Sequence, residues 1–412
     1  MKTMIKTCAI LTIGDELLIG QTIDTNSAWI AKALEPLGIQ IKQRVSVGDV
    51  KQDILDALNH IRNHADLIIM TGGLGPTADD ITKPLLAAYF NTELIWDASV
   101  LEHVTRYFEQ RKRPLLESNK RQALLPARCD VLFNEMGTAP GMWFEDGSNY
   151  FVSLPGVPFE MQHIMQEKVI PRLRKQIQQQ TITHRTLITA GVGESFLAEK
   201  LATFEQHLPK EIKLAYLPQL GMVKLRLSST ELSESTVEQY FQELIQRTQE
   251  HFVVAQDREL EGVVGDLLIQ TKQGVACIES CTGGALASRI TAVKGASKYF
   301  QGSFVTYTPE MKNKVLGIDL NFIEQYGAVS EEVAVEMAKA GLRQWGVDYC
   351  VAVSGLLEKG DEDNRVWIAL AHGNITEAHK IFVPYDRIRN TQLTTTVALN
   401  LLRKFIMVNS IS

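Results

Sequence analysis

The chain predicts an α/β protein in three parts: a doubly wound domain, a small α+β module, and a second α/β domain. Three observations carry this expectation. Over 1–175, short apolar runs ending in Gly alternate with segments of helical periodicity. Over 182–254 the pattern changes to paired strands and two amphipathic helices. Over 258–412 the β/α rhythm resumes. The length of 412 residues also corresponds to about three domains at roughly 150 residues each.

In the first part, CAILTIG (8–14) reads as a buried strand, and Asp24, Thr25 and Asn26 offer N-cap side chains for a helix over 27–36. RVSVGD (44–49) is a second strand, and Ile54, Leu58 and Ile61 follow at helical spacing. DLIIMTGG (66–73) is a third strand, with another helix after Asp80. Such β-α-β-α alternation predicts a mostly parallel sheet. Residues 98–125 and 158–178 read as helices, and the polar run Gln176–Gln180 reads as a linker. In the module, HRTLITAGV, the two halves of IKLAYLPQLGMVKLRLSS, and HFVVA are strands. Gln256–Glu259 is a second linker. Beyond it come strands GVACIES, GSFVTY, DYCVAVSG, VWIALAH and HKIFVPY, and a final helix over 388–406.

Composition narrows the function. Hydrophobic residues make up 45% and charged residues 22%, which excludes a chain disordered throughout. The net charge of -6 argues against an electrostatic nucleic-acid binder. No apolar run approaches the roughly 18 residues of a membrane helix, and the N-terminal apolar run ends in Gly14-Asp15-Glu16 instead of a signal cleavage site. The five cysteines are scattered without a CxxC pair, so neither a disulfide framework nor a zinc site is expected. A cytoplasmic location is the expectation.

Two constellations carry chemistry. Gly14-Asp15-Glu16 and Thr71-Gly72-Gly73-Leu74-Gly75-Pro76-Thr77-Ala78-Asp79-Asp80 each lie where a strand ends and a helix begins. Ligands of open α/β sheets bind there, glycine amides and a helix N-terminus attract anions, and Asp15, Asp79 and Asp80 would hold a Mg2+-like ion bridging phosphates. The competing reading is turn glycines with helix-capping aspartates. In the last part, Glu279-Ser280-Cys281-Thr282-Gly283-Gly284 ends a strand and opens a helix. Ser280 would need a base, and the amides of Gly283 and Gly284 would hold an oxyanion. Thr308 and Pro309 start a helix that carries Lys312 one turn in. By spacing alone, Lys312 is a solvated helix residue and Cys281 a small buried hydrophobe. A desolvated lysine would serve as the base.

GDELLIGQTIDTN, TGGLGPTADDIT, NEMGTAPG and LPGVPFEM, in this order, resemble the molybdopterin-binding-type domain of the CinA family (competence/damage-inducible protein A). The resemblance covers about 1–170 and implies ADP-ribose pyrophosphatase activity over 1–175, with Gly72, Gly73, Gly75 and Thr77 at the substrate. The module is similar to the family's KH-like insert. Its turn, Gly191-Val192-Gly193-Glu194-Ser195, lacks the GXXG that clamps nucleic acid, so it is read as a spacer. ESCTGG, GSFVTYTPEMK and GAVSEEVA resemble the C-terminal nicotinamide-nucleotide amidase domain. That resemblance implies a Ser280–Lys312 dyad acting on nicotinamide mononucleotide, with Tyr307 beside the ring and Thr282, Ser354 and Arg387 among the binding residues. The amidase part needs no cofactor, and a homo-oligomer, a dimer, is expected.

One departure stands out. After Ser354-Gly355 the family pattern has the form IAGPxGGxxxKPVG. This chain has Leu356–Arg365 instead, without the Gly pair and with Glu358, Asp361, Glu362 and Asp363. A phosphate would lose amide donors there and meet negative charge. The altered loop predicts a weakened grip on the nucleotide, and it favours the alternative of a non-catalytic assembly or partner-binding protein that keeps both folds.

Overall fold

The computed structural model describes residues 5–77, 80–177, 183–358 and 365–410. The chain divides into two compact units, Met1–Ile182 and Thr183–Ser412.

The first unit is built on a six-stranded sheet in the order Gln40–Val47, Thr7–Ile13, Leu67–Thr71, Asn149–Leu154, Gly141–Asp146, Asp130–Leu132. The first four strands are parallel and the last two antiparallel. Alternation within Thr7–Ile13 sends Cys8 and Ile10 to one face and Ala9 and Leu11 to the other. Helix Thr25–Leu34 and the helix beginning at Pro158 cover the first face, through Ile30, Leu34, Met161 and Ile164. Helices Lys51–Ile61, Thr82–Tyr89 and Ala98–Gln110 cover the second, through Ile54, Leu58, Leu86 and Val100. A doubly wound sheet results. Its connectivity reverses between Thr7–Ile13 and Leu67–Thr71, so Gly14 and Gly72 sit together at the switch point.

Two helices differ from expectation. The one read over 98–125 ends at Gln110, and a short helix and strand Leu124–Pro126 follow. Lys112 takes φ 51°, and Pro114 disfavours helical geometry in the residue before it. The helix read over 158–178 widens into a π-helical turn over Met165–Val169 and ends its regular part at Leu173. Pro171 follows that turn; with no N–H to give, it interrupts the regular ladder.

In the second unit the module has a four-stranded antiparallel sheet, Lys213–Gln219, Met222–Ser229, Thr183–Ala190 and Phe252–Val254, with helices Glu194–His207 and Glu234–Thr248. The other sheet runs Phe300–Val305, Val275–Glu279, Tyr349–Gly355, Arg365–His372, Ile375–Phe382; its first three strands are parallel. Helix Glu331–Trp345 covers one face, and helices Leu260–Thr271 and Arg387–Asn409 the other. Module and sheet share a core: Ile188, Ala190 and Met222 pack in one cluster with Leu260, Leu399 and Leu402. Gln256–Glu259 is not a free tether, since Lys224 Nζ lies 2.7 Å from Asp257 and 3.7 Å from Glu259. No helix of the described residues is long and apolar enough to cross a membrane.

Candidate active site

Strand Val275–Glu279 is wholly buried and delivers Ser280 to the carboxyl edge of its sheet, where the Ser280 amide donates to Val353 O at 2.9 Å. Thr308 caps helix Pro309–Leu316, accepting from the Met311 amide, with Pro309 in its first turn. This start aims Lys312 inward. Its Nζ donates to Ser280 Oγ at 3.1 Å and to Thr306 O at 3.0 Å. Lys312 is 1% exposed, so the solvated reading from spacing is overturned: the first turn of this helix faces the sheet edge. Burial lowers the lysine pKa. Burial pushes the Cys281 thiol up to about 12, only partly opposed by its own backbone amide and by Lys312 and Arg387. Cys281 is therefore a thiol at neutral pH and a poor nucleophile.

A cavity of about 270 Å³ opens over this pair, lined by Ser280, Cys281, Tyr307, Lys312, Ala328, Val329, Ser354, Leu356, Glu358 and Arg387. Ser354 is in place, but its hydroxyl donates to Ala328 O at 2.9 Å. Arg387 opens the last helix behind the N-cap Asp386 and reaches the rim. Its Nη2 donates to Tyr307 OH at 2.8 Å and its Nη1 to Glu358 Oε1 at 2.9 Å. These partners hold its pKa above the ordinary value, Tyr307 foremost.

The glycine pair is used differently from the expectation. Gly283 and Gly284 have φ of 61° and 100°, which favours glycine, but neither lines the cavity. The Gly284 amide donates to Glu279 Oε2 at 3.1 Å, and the Leu286 and Ala287 amides donate to the same carboxylate at 3.0 and 2.9 Å. Thr282, expected at the substrate, donates its hydroxyl to Glu279 at 2.8 Å and is buried. Ser303 adds a further bond at 3.2 Å. Glu279 thus occupies the helix N-terminus that an anionic ligand would otherwise take. The signal was legible: a carboxylate closing an apolar strand just before Gly-Gly must find donors if it is buried. Cys281, the residue after Ser280, does line the cavity. Within the altered loop, Asp361, Glu362 and Asp363 lie outside the described residues.

In the first unit, glycine serves close packing. A Cβ on Gly72, whose φ is 116°, would lie 2.1 Å from Ile13 O. Gly73 is closed in by Thr82 and Gly75 by Asp80. The Gly75 and Thr77 amides donate to Asp80 at 2.7 and 2.8 Å, and the Thr77 hydroxyl bonds it too. Asp80 therefore closes the turn before it and does not cap the following helix, whose N-cap is Ile81 with no side-chain cap bond, and these amides are not free for a phosphate. Asp15 accepts from the Asp49 amide at 3.1 Å. Among the described residues no group of three His, Cys, Asp or Glu side chains forms a metal site; Asp79 lies outside them. With Asp15 held by the Asp49 amide and Asp80 by the amides of its own turn, these two carboxylates do not fit a ready-made site for a hard divalent ion.

Three motifs nevertheless meet. Pro76 of TGGLGPTADDIT, Thr138 of NEMGTAPG and Glu160 of LPGVPFEM line one cavity of about 570 Å³ with Arg111 and Arg113. Glu160 accepts from Asn134 Nδ2 at 2.6 Å, and burial raises its pKa. Separately, Asn26 Nδ2 donates to Thr71 Oγ1 and Gly156 O at 3.1 and 2.7 Å, tying the switch point together. In the sequence Glu160 reads as a cap of the helix beginning at Pro158, which it does not make, and the two arginines read as ordinary residues of a charged helix.

Fold and site define a class: a doubly wound molybdopterin-binding-type domain joined to a KH-like module and an α/β domain with a serine–lysine pair. Family models match the three parts, as a probable molybdopterin binding domain over 9–175, the damage-inducible protein CinA KH domain over 184–253, and the CinA C-terminal domain over 257–406. A CinA-like protein from Flavobacterium psychrophilum is 44% identical over 97% of this chain and 98% of its own. A CinA-like protein from Cytophaga hutchinsonii is 42% identical over 96% and 97%. The solved structure of CinA from Thermoplasma acidophilum is 30% identical, covering 40% of this chain and 98% of its own, with a TM-score of 0.38. The chain belongs to the CinA family.

Proposed function

We propose that the C-terminal cavity hydrolyses a carboxamide, converting nicotinamide mononucleotide to nicotinate mononucleotide and ammonia. The observation that carries this reading is Lys312 Nζ, buried and 3.1 Å from Ser280 Oγ. Burial favours the neutral amine, whose lone pair accepts the Ser280 proton as Oγ bonds to the carboxamide carbon. We assign the oxyanion to the amide of Cys281, which lines the cavity beside Ser280. Lys312 then passes the proton to the amide nitrogen, the C–N bond breaks, and ammonia leaves. Water attacks the resulting ester, giving one proton through Lys312 to Ser280 Oγ and releasing the acid. Tyr307, fixed by Arg387, flanks the pyridinium ring. Ammonia release by wild type, Ser280→Ala and Lys312→Ala tests the reading; full activity in Ser280→Ala would move the nucleophile elsewhere.

For the first unit we propose ADP-ribose cleavage, supported by the convergence of Pro76, Thr138 and Glu160 on one cavity with two arginines. Arg111 and Arg113 suit a diphosphate, and Glu160, with its raised pKa, suits proton transfer. AMP release by the full chain, with and without chelator, tests both this reading and any role for a divalent ion. The Ser280–Lys312 contact weighs against a purely assembling protein, since burying an amine against a hydroxyl has no structural need.

A further inference from the structure

The charges around the C-terminal cavity are few. Among its described lining residues the cations are Lys312 and Arg387 and the single carboxylate is Glu358. Lys312 is buried against Ser280 and unavailable to a group at the mouth. Arg387 is the rim cation, with 45% of its side chain exposed, and Glu358, 75% exposed, sits on it. The guanidinium is split between two tasks. Nη2 holds Tyr307, and Nη1 holds Glu358 Oε1. A carboxylate on one arm of a guanidinium occupies the place a phosphate oxygen would take. The Glu358 side chain is exposed, and among the described residues its printed bond is to Arg387 and to no buried group.

We propose that Glu358 is a built-in competitor for Arg387, displaced by the phosphate of a phosphorylated pyridinium amide, and so sets how strongly this cavity selects for that phosphate. The proposal rests on the amidase reading and adds its specificity determinant. Arg387 Nη1 changes partner while Nη2 stays on Tyr307, so the ring-flanking tyrosine keeps its position. The exchange replaces one ion pair by another and expels an anion from the phosphate's path; its cost is electrostatic and screened by salt.

The test uses the full chain with nicotinamide mononucleotide and with nicotinamide riboside, which lacks the phosphate. Glu358→Gln removes the competing charge and keeps the side chain's size. The expected result is a KM for the mononucleotide lower by roughly two- to fivefold, the range of an exposed ion pair, with no matching change for the riboside. The difference should shrink as salt is raised. In an Arg387→Ala background the same substitution should give no gain. A mononucleotide KM unmoved by Glu358→Gln, or an equal shift for both substrates, would overturn the proposal. A second arm needs no turnover: calorimetric binding of the mononucleotide to Ser280→Ala protein, with and without Glu358→Gln. Tighter binding in the double variant, together with no ammonia from wild type, would reject the amidase reading and keep the competitor. No binding in either protein would reject the competitor.

Discussion

Burial without a counter-charge sets Lys312 apart from the other lysines of its domain. Its Nζ meets a hydroxyl and a carbonyl, and no ion-pair partner among the described residues. In the proposed mechanism the neutral amine is the working base, and burial favours that form at lower pH. The rising limb of kcat/KM against pH should therefore lie below the ordinary lysine value of 10.5, and a pH–rate profile checks this. Lys312→Ala should cost roughly 10²–10⁴-fold. Because the pair acts as a unit, adding Ser280→Ala should cost little more. A second buried lysine is lowered for the same reason, in the first unit. Lys83 is lowered to about 8 by burial, with Nζ bonded to Gln122 Oε1 at 2.9 Å. Its folded pKa lies below the unfolded value of 10.5, so the unfolded chain binds the extra proton between the two. The stability penalty is full below pH 8 and fades as pH rises toward 10.5. Denaturation of wild type and Lys83→Met at several pH values should show that slope in wild type alone.

At the scale of elements, two turns carry most of the architecture. The turn after Val275–Glu279 is organised by Glu279, whose carboxylate accepts three amides and two hydroxyls. Glu279→Gln places an NH2 among donors and leaves some of them unpaired, a loss of roughly 1–3 kcal/mol per buried group. Thermal unfolding should register it, and Glu279→Asp, which shortens the reach to the helix, should not restore it. The turn at Gly72 brings its backbone onto Ile13 O. Gly72→Ala should destabilise the first unit by more than about 1 kcal/mol, from clash and positive φ together. Both turns were visible as Gly-rich motifs after apolar strands. Their inner wiring was not, because the Glu279 and Asp80 carboxylates take amides that the motif alone offers equally to a ligand.

At the scale of the whole molecule, alternating apolar runs announced both main sheets, and the period change over 182–254 announced the module. What periodicity could not show is that the module and the last domain bury a common core, since Ile188 and Met222 meet Leu399 only through tertiary packing. Cutting the chain at 183 should give a stable 183–412 fragment, whereas a fragment starting at 256 exposes that face and should melt lower. Spacing alone missed the Ser280–Lys312 pair for the same reason, and only the family resemblance implied it. Ser280 and Lys312 are 32 residues apart, and only the sheet edge and the capped helix make them neighbours. Arg387 and Glu358 meet likewise across 29 residues.

Ammonia and nicotinate mononucleotide released from nicotinamide mononucleotide by the full chain, beside Ser280→Ala and Lys312→Ala of unchanged thermal stability, test the serine–lysine account most directly. The account predicts both products from wild type and neither, above the uncatalysed rate, from either variant. Equal product from wild type and Ser280→Ala would contradict it.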